Sequence, residues 1–252
     1  MVGPMSLALY RSLECETLVG RPFRRPILDL GCGDGIFAGV LFDETLDTGI
    51  DPQAREIEKA RATGVYDELI VCFGDAIPKP DGAFRTILSN STWEHIPDLE
   101  PVVREAHRLL APGGTVHLTL PTDRLERFSV PARLLRGLGL EGAARGYARV
   151  FNRFWRHHNS LSPDAWQALF ERCGFTVAER REYAPAAIVA AFDLLLPFAV
   201  PAYILEKLAG RWLLSRALRR LYVALPAWIV GGIIRRFERP GPGAMVYFAL
   251  TR

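Results

Sequence analysis

The chain reads as an α/β protein. It predicts a Rossmann-like doubly wound sheet of seven strands, mostly parallel with an antiparallel last strand, and two mainly helical basic and apolar insertions over the carboxyl edge. Three observations lead there. Short apolar runs alternate with helical patterns through the first half, as βαβ units require. A glycine-rich turn, Gly31-Cys32-Gly33-Asp34-Gly35, follows the first run. Acidic residues close the next two runs, at Asp51 and Asp75. A single domain over residues 1–252 is expected, with insertions at 121–160 and 185–240.

The elements follow in order. "PILDLG" is the first strand and "GIFAGVLFDE" the helix after it; "DTGID" is the second strand. "PQAREIEKARATG" is a helix with Pro52 at its start and Gly64 just past its end, the usual asymmetry of helix termini. "ELIVCFGDA" and "FRTILSN" are strands three and four. In "DLEPVVREAHRLLAPGG", Leu99, Val102, Val103, Ala106, Leu109 and Leu110 fall on one helical face. "TVHLTLP" is the fifth strand. "LSPDAWQALFERCGF" is a helix with Ser162 as N-cap, Pro163 in its first turn and Gly174 at its end. "FTVAERREY" and "AMVYFALTR" complete the sheet.

With 49% hydrophobic residues the chain has ample area for a core. Cysteines 15, 32, 72 and 173 form no CxxC and no metal spacing with histidine, so neither a disulfide frame nor a metal is expected, and a reducing compartment is. The first sixteen residues lack a basic start followed by a long apolar stretch, so no signal peptide is read there. The net charge of +3 hides an asymmetry. Residues 121–158 hold eight arginines and three acids; residues 186–239 hold eight Lys/Arg and three acids. The remainder is therefore acidic, at −7. Two basic segments on an acidic body point to a polyanionic partner.

The glycine turn indicates the ligand. Glycines there let a ligand approach backbone N–H groups. A dinucleotide wants GxGxxG, but Ile36 stands where the third glycine belongs, and Asp29 and Asp34 disfavour a phosphate. They suit a ligand with positive charge and no pyrophosphate. S-adenosylmethionine (SAM) has a sulfonium, an ammonium, a ribose and an adenine. Asp51 is placed for both ribose hydroxyls and Asp75 for the adenine amino group.

On these residues the sequence resembles the class I SAM-dependent methyltransferases, closest to the small-molecule type 11 branch. "LDLGCGDG" matches the first motif through Asp29, Gly31, Gly33 and Gly35, with Cys32 among them. "GIDP" matches the ribose turn through Asp51 and Pro52; "GDA" matches the adenine loop through Asp75 and Ala76. "EHIPDLEPVVREAHRLLAPGGTVHLTLP" matches the stretch into strand five. The resemblance covers roughly residues 25–121, more weakly 160–183 and 244–252. It implies SAM as cofactor. Where many members carry an acid near the end of strand four, this chain has "SNSTWEH"; Asn90, Ser91 and His95 are the expected contacts there. The motifs of exocyclic-amine and cytosine-C5 DNA methylation are absent from that segment, and a nucleic-acid partner is not expected.

Candidate bases are His95, His157 and His158, histidine being the side chain that titrates near neutrality. Each also reads as a cap or a surface residue. Trp93 reads as packing. In the resembled fold both insertions leave carboxyl ends of strands, so both should cover the cofactor edge. Residues 186–205 carry one charge, Asp193, and 221–234 none, with a basic amphipathic stretch between. Pro197, Pro201 and Asp193 disfavour a simple span. A monotopic hairpin on an anionic cytoplasmic membrane face is expected, against the alternatives of a protein core, a soluble apolar pocket or a dimer contact. The function expected is methyl transfer to a hydrophobic or lipid-linked small molecule. A soluble natural-product methyltransferase and a non-catalytic SAM-binding scaffold are the alternatives.

Overall fold

A computed structural model describes residues 5–209 and 219–252, with side chains over 6–197 and 227–252. Seven strands form one sheet in the order β3-β2-β1-β4-β5-β7-β6. They are β1 (Ile27–Leu30), β2 (Leu46–Asp51), β3 (Tyr66–Val71), β4 (Phe84–Asn90), β5 (Leu110–Pro121), β6 (Thr176–Tyr183) and β7 (Met245–Thr251). β1 pairs in parallel with β2 on one side and β4 on the other, while β7 runs antiparallel between β5 and β6. The strand order reverses at β1. The crevice between the carboxyl ends of β1 and β4 is therefore the topological switch point, where ligands of open α/β sheets bind.

The helices among the described residues are α1 (Met5–Leu18), α2 (Ala38–Leu41), α3 (Ala54–Thr63), α4 (Leu99–Leu109), α5 (Leu125–Phe128), α6 (Val130–Gly137), α7 (Glu141–Trp155), α8 (Pro163–Arg172), α9 (Ala186–Ala209) and α10 (Arg219–Phe237). β7 shows how they divide. Its Val246, Phe248 and Leu250 face α4 and α8, packing with Val103, Trp166 and Phe170. The alternate residues Met245, Tyr247 and Ala249 face α1, α9 and α10, packing with Leu9, Leu13, Ile188 and Ile234. A period of two on a strand buried on both faces gives this split.

Three expectations are corrected. The helix after β1 is a single turn over Ala38–Leu41 rather than residues 35–44. Gly35 sits at φ 73°, outside helical space, and Phe42 is already extended. β3 starts at Tyr66 and ends at Val71, so Asp75 lies in a loop beyond the strand. β5 begins at Leu110, five residues early, because Phe84 of β4 pairs with Leu110 across an irregularity before the regular register resumes at Thr115. The N-terminal helix α1 carries no sequence expectation. α8 starts as expected, with the Ser162 hydroxyl accepting from Ala165 N at 3.2 Å.

Among the described residues no helix is long and apolar enough to cross a membrane. Part of the apolar run at 186–205 belongs to the protein core: Ile188, Val189 and Phe192 of α9 pack on α1 with Val230 and Ile234 of α10. Residues 210–218, in the basic stretch between the two runs, lie outside the described residues.

Candidate functional site

The turn after β1 is bound to β2. Gly31 N and Cys32 N both donate to Ile50 O, at 3.0 and 2.9 Å, and Gly35 N donates to Cys32 O at 3.1 Å. Gly33 N then reaches Asp51 Oδ2 at 3.2 Å, and Gln53 N donates to Asp51 Oδ1 at 2.8 Å. Two backbone donors thus fix a carboxylate that is 8% exposed at the mouth of the crevice. Burial holds its proton affinity above the ordinary value. Each oxygen keeps acceptor capacity for a hydroxyl.

Asp29 has a different place. It is 5% exposed and accepts from the Tyr66 hydroxyl at 2.7 Å, beneath the turn. Burial pushes its carboxyl up to about 7. Tyr66 is a residue that the sequence reading missed. Its ring fills the space left by Gly49 and Gly35, where an added Cβ would lie 2.9 and 3.1 Å from it. Cys32 is buried, and Pro52, Asp75 and Ala76 are exposed. The loop holding Asp75 is anchored where Ile77 N donates to Glu105 Oε1 at 2.9 Å.

Asn90 and Ser91, at the end of β4, both donate to Glu14 of α1. Trp93 is fully buried, edge-on to Phe170 at 5.8 Å. The 3-10 turn Trp93–His95 is tied to the end of the first insertion. His158 N and Asn159 N donate to Glu94 O at 2.8 and 3.0 Å, and Asn159 Nδ2 donates to Ile96 O at 2.7 Å. The ties bring the His95 and His157 rings to 5.3 Å between centroids. The His158 side chain stays exposed. Burial, then His95, pushes His157 down to about 4, so its ring is neutral at pH 7.

Glu94 joins this pair, again unforeseen; its adjacency to His95 was the available signal. It is 2% exposed, Oε1 lies 3.7 Å from His95 Nε2, and Oε2 has no hydrogen-bond partner among the described residues. Burial pushes its carboxyl up to about 8. Glu94, His95 and His157 offer ligand atoms within 4.8 Å of one another, a spacing that a cation could also use. An arginine-rich cavity of about 670 Å³ lies apart, at the end of β6, lined by Arg124, Arg180, Arg181 and Arg239 with Glu182 and Glu238.

The residues at the switch point fit SAM. The turn presents bare backbone held in place by its own hydrogen bonds, Gly33 has open space above it where a Cβ would stand, and Asp51 terminates β2. Seven strands in this order with that turn are the arrangement of the class I SAM-dependent methyltransferases. Residues 14–180 match the family described as a methyltransferase domain, and the chain belongs to it. Methyltransferase GfsG of Streptomyces halstedii is 28% identical over 185 residues, covering 68% of this chain and 62% of that protein. A ubiquinone biosynthesis O-methyltransferase of Pectobacterium carotovorum is 32% identical over 124 residues, 46% of this chain and 48% of that one. The chain thus spans about half to three-fifths of the length of these relatives. The solved geranyl diphosphate C-methyltransferase of Streptomyces coelicolor, in complex with Mg2+, geranyl diphosphate and S-adenosyl-L-homocysteine, shares the fold. Its TM-score is 0.53 at 15% identity, covering 96% of this chain and 79% of that one.

Proposed function

We propose that this methyltransferase methylates a hydroxyl on a hydrophobic or lipid-linked small molecule, and that it works at an anionic membrane surface. One observation carries the chemistry. A half-buried, neutral histidine, His157, stands against His95 and Glu94 just past the carboxyl end of β4. When bound, the cofactor supplies an electrophilic methyl on sulfur. The chain aligns it: the Gly31–Gly35 turn and Asp51 hold the ribose side, Asp75 and Ala76 the adenine side, Asn90 and Ser91 the methionyl side. His157 takes the acceptor hydroxyl's proton, or His95 does through the same contact. Such a base contributes on the order of 10²- to 10⁴-fold. Helices α5–α7, the first insertion, act as a lid that excludes water and orients the acceptor.

The apolar acceptor is supported by relatives and neighbours named for ubiquinone biosynthesis and geranyl diphosphate. The membrane reading is supported by the surface of the insertions. Leu134, Leu138, Val150 and Phe154 of the lid region, Leu194 of α9 and Trp228 of α10 are each more than 60% exposed. Arg133, Arg145, Arg149 and Arg153 are exposed among the lid residues. Apolar side chains interspersed with arginines suit a headgroup boundary.

The test is incubation with methyl-labelled SAM and fractionated cell extract. Label in an apolar, alkali-stable ether supports the reading. Label only in water-soluble products refutes the lipid part. Retained cofactor binding with no transfer to any fraction favours the scaffold alternative.

A further inference from the structure

We infer that Glu14 of the N-terminal helix is a cofactor-binding residue whose carboxylate receives the α-ammonium at the methionyl end. The inference deepens the placement of SAM proposed above and rests on it.

Glu14 lies in the third turn of α1 and is 2% exposed. Its Oε1 accepts from Ser91 Oγ at 2.6 Å; its Oε2 accepts from Asn90 Nδ2 at 3.0 Å and from Arg11 Nη1 at 2.7 Å. Asn90 is oriented for this, because its Oδ1 accepts from Thr119 Oγ1 at 2.6 Å, which turns the amide NH2 toward Glu14. Ser91 is a non-glycine residue at φ 47°, held there as its N donates to Thr119 O at 2.9 Å. A left-handed serine has a conformational cost that the fold maintains at this point.

The position matters as much as the bonds. Arg11, the ion-pair partner of Glu14, stands 5.7 Å from the ring of Phe37, two residues past Gly35. The Arg11–Glu14 pair therefore spans from the segment just past the glycine turn to the end of β4, the two sides of the switch point. If Asp51 takes the ribose, the methionyl end lies across this interval. An ammonium there loses water and needs anionic acceptors. Asn90 and Ser91 themselves offer an amide and a hydroxyl, and no carboxylate. A carboxylate has about four lone-pair sites and Glu14 has three donors among the described residues, two on Oε2 and one on Oε1, so Oε1 retains acceptor capacity. Glu94, the other buried carboxylate nearby, is turned to the histidines.

The experiment is calorimetry of the full chain with two ligands. S-adenosylhomocysteine carries the ammonium and carboxylate; 5′-methylthioadenosine keeps the adenine, ribose and sulfur and lacks both. Glu14→Gln preserves shape and removes charge. It should weaken S-adenosylhomocysteine about tenfold or more and change methylthioadenosine less than about twofold. Equal weakening of both ligands, or of neither, overturns the assignment. Asp51→Ala, run alongside, should weaken both ligands; if it weakens neither, the cofactor placement itself fails. If Glu14→Gln does not fold, Glu14→Asp keeps the charge on a shorter arm. A loss confined to S-adenosylhomocysteine then supports the role, and an equal loss for both ligands overturns it.

Discussion

Two glycines of one turn should fail in different ways. An alanine Cβ at Gly31 would lie 2.3, 2.6 and 2.9 Å from Cγ2, Oγ1 and Cβ of Thr92, at φ 84°. An alanine Cβ at Gly33 would meet nothing within 4 Å, at φ 53°. The left-handed conformation costs a non-glycine residue about 1–2 kcal/mol, and overpacking adds about 1–3 kcal/mol at Gly31 alone. Gly31→Ala should therefore cost about 2–5 kcal/mol in urea denaturation without cofactor, and Gly33→Ala about 1–2 kcal/mol. Binding should show the opposite ranking relative to stability. On the proposed cofactor placement the Gly33 Cβ would stand in the ligand's path, so Gly33→Ala should weaken S-adenosylhomocysteine by about tenfold or more in calorimetry while remaining folded. Thr92→Ala removes the two nearest atoms, so combined with Gly31→Ala it should recover at least about 1 kcal/mol relative to additivity. Equal destabilisation by the two glycine variants, or strict additivity with Thr92→Ala, would falsify the packing account of the turn.

Three further outcomes are expected. His157→Gln should lower kcat by about 10²- to 10⁴-fold with S-adenosylhomocysteine affinity unchanged, and wild-type activity should survive EDTA; an unaltered kcat removes His157 as base, and EDTA-sensitive activity points to a cation at Glu94, His95 and His157 instead. Glu94 at about 8 and Asp29 at about 7 stand above the ordinary 4.5 and 3.8. The folded state therefore holds more protons than the unfolded chain from about pH 4 to 8, and their contribution to stability falls as pH rises through that window. Glu94→Gln should flatten the decline of Tm between pH 5 and 8, and an unchanged slope would show that Glu94 is ionised when folded. The protein should pellet with phosphatidylglycerol vesicles at low salt and less so at high salt. Leu138→Ser with Phe154→Ser should weaken pelleting about tenfold or more; equal pelleting with neutral vesicles would remove the arginines from the account.

What was legible in the sequence was what local pattern encodes. Alternating apolar runs announce strands, Gly64 and Gly174 end helices, and a glycine turn followed by Asp51 at the end of the next strand points to a nucleoside site within 21 residues. The remainder of the candidate site depends on contacts far apart in the chain. Tyr66 reaches Asp29 across 37 positions, Glu14 reaches Ser91 across 77, and His95 meets the backbone of Arg156 across 61. No periodicity carries such pairings; they exist only once the sheet has set its strand order. The apolar run of α9 shows a second limit, of a different kind. Ile188, Val189 and Phe192 are buried against α1, while Leu194 is 68% exposed only two residues further on. A protein core and a hydrocarbon phase demand the same side chains, so composition cannot divide the run between them. Packing can. The buried first turns anchor α9 to the same helix that carries Glu14, so any membrane force on the exposed part of α9 acts on a helix joined to the cofactor edge. Substitutions at Leu194 should therefore alter vesicle binding without altering cofactor affinity, whereas substitutions at Phe192, which packs on Tyr10 at 4.8 Å, should alter both.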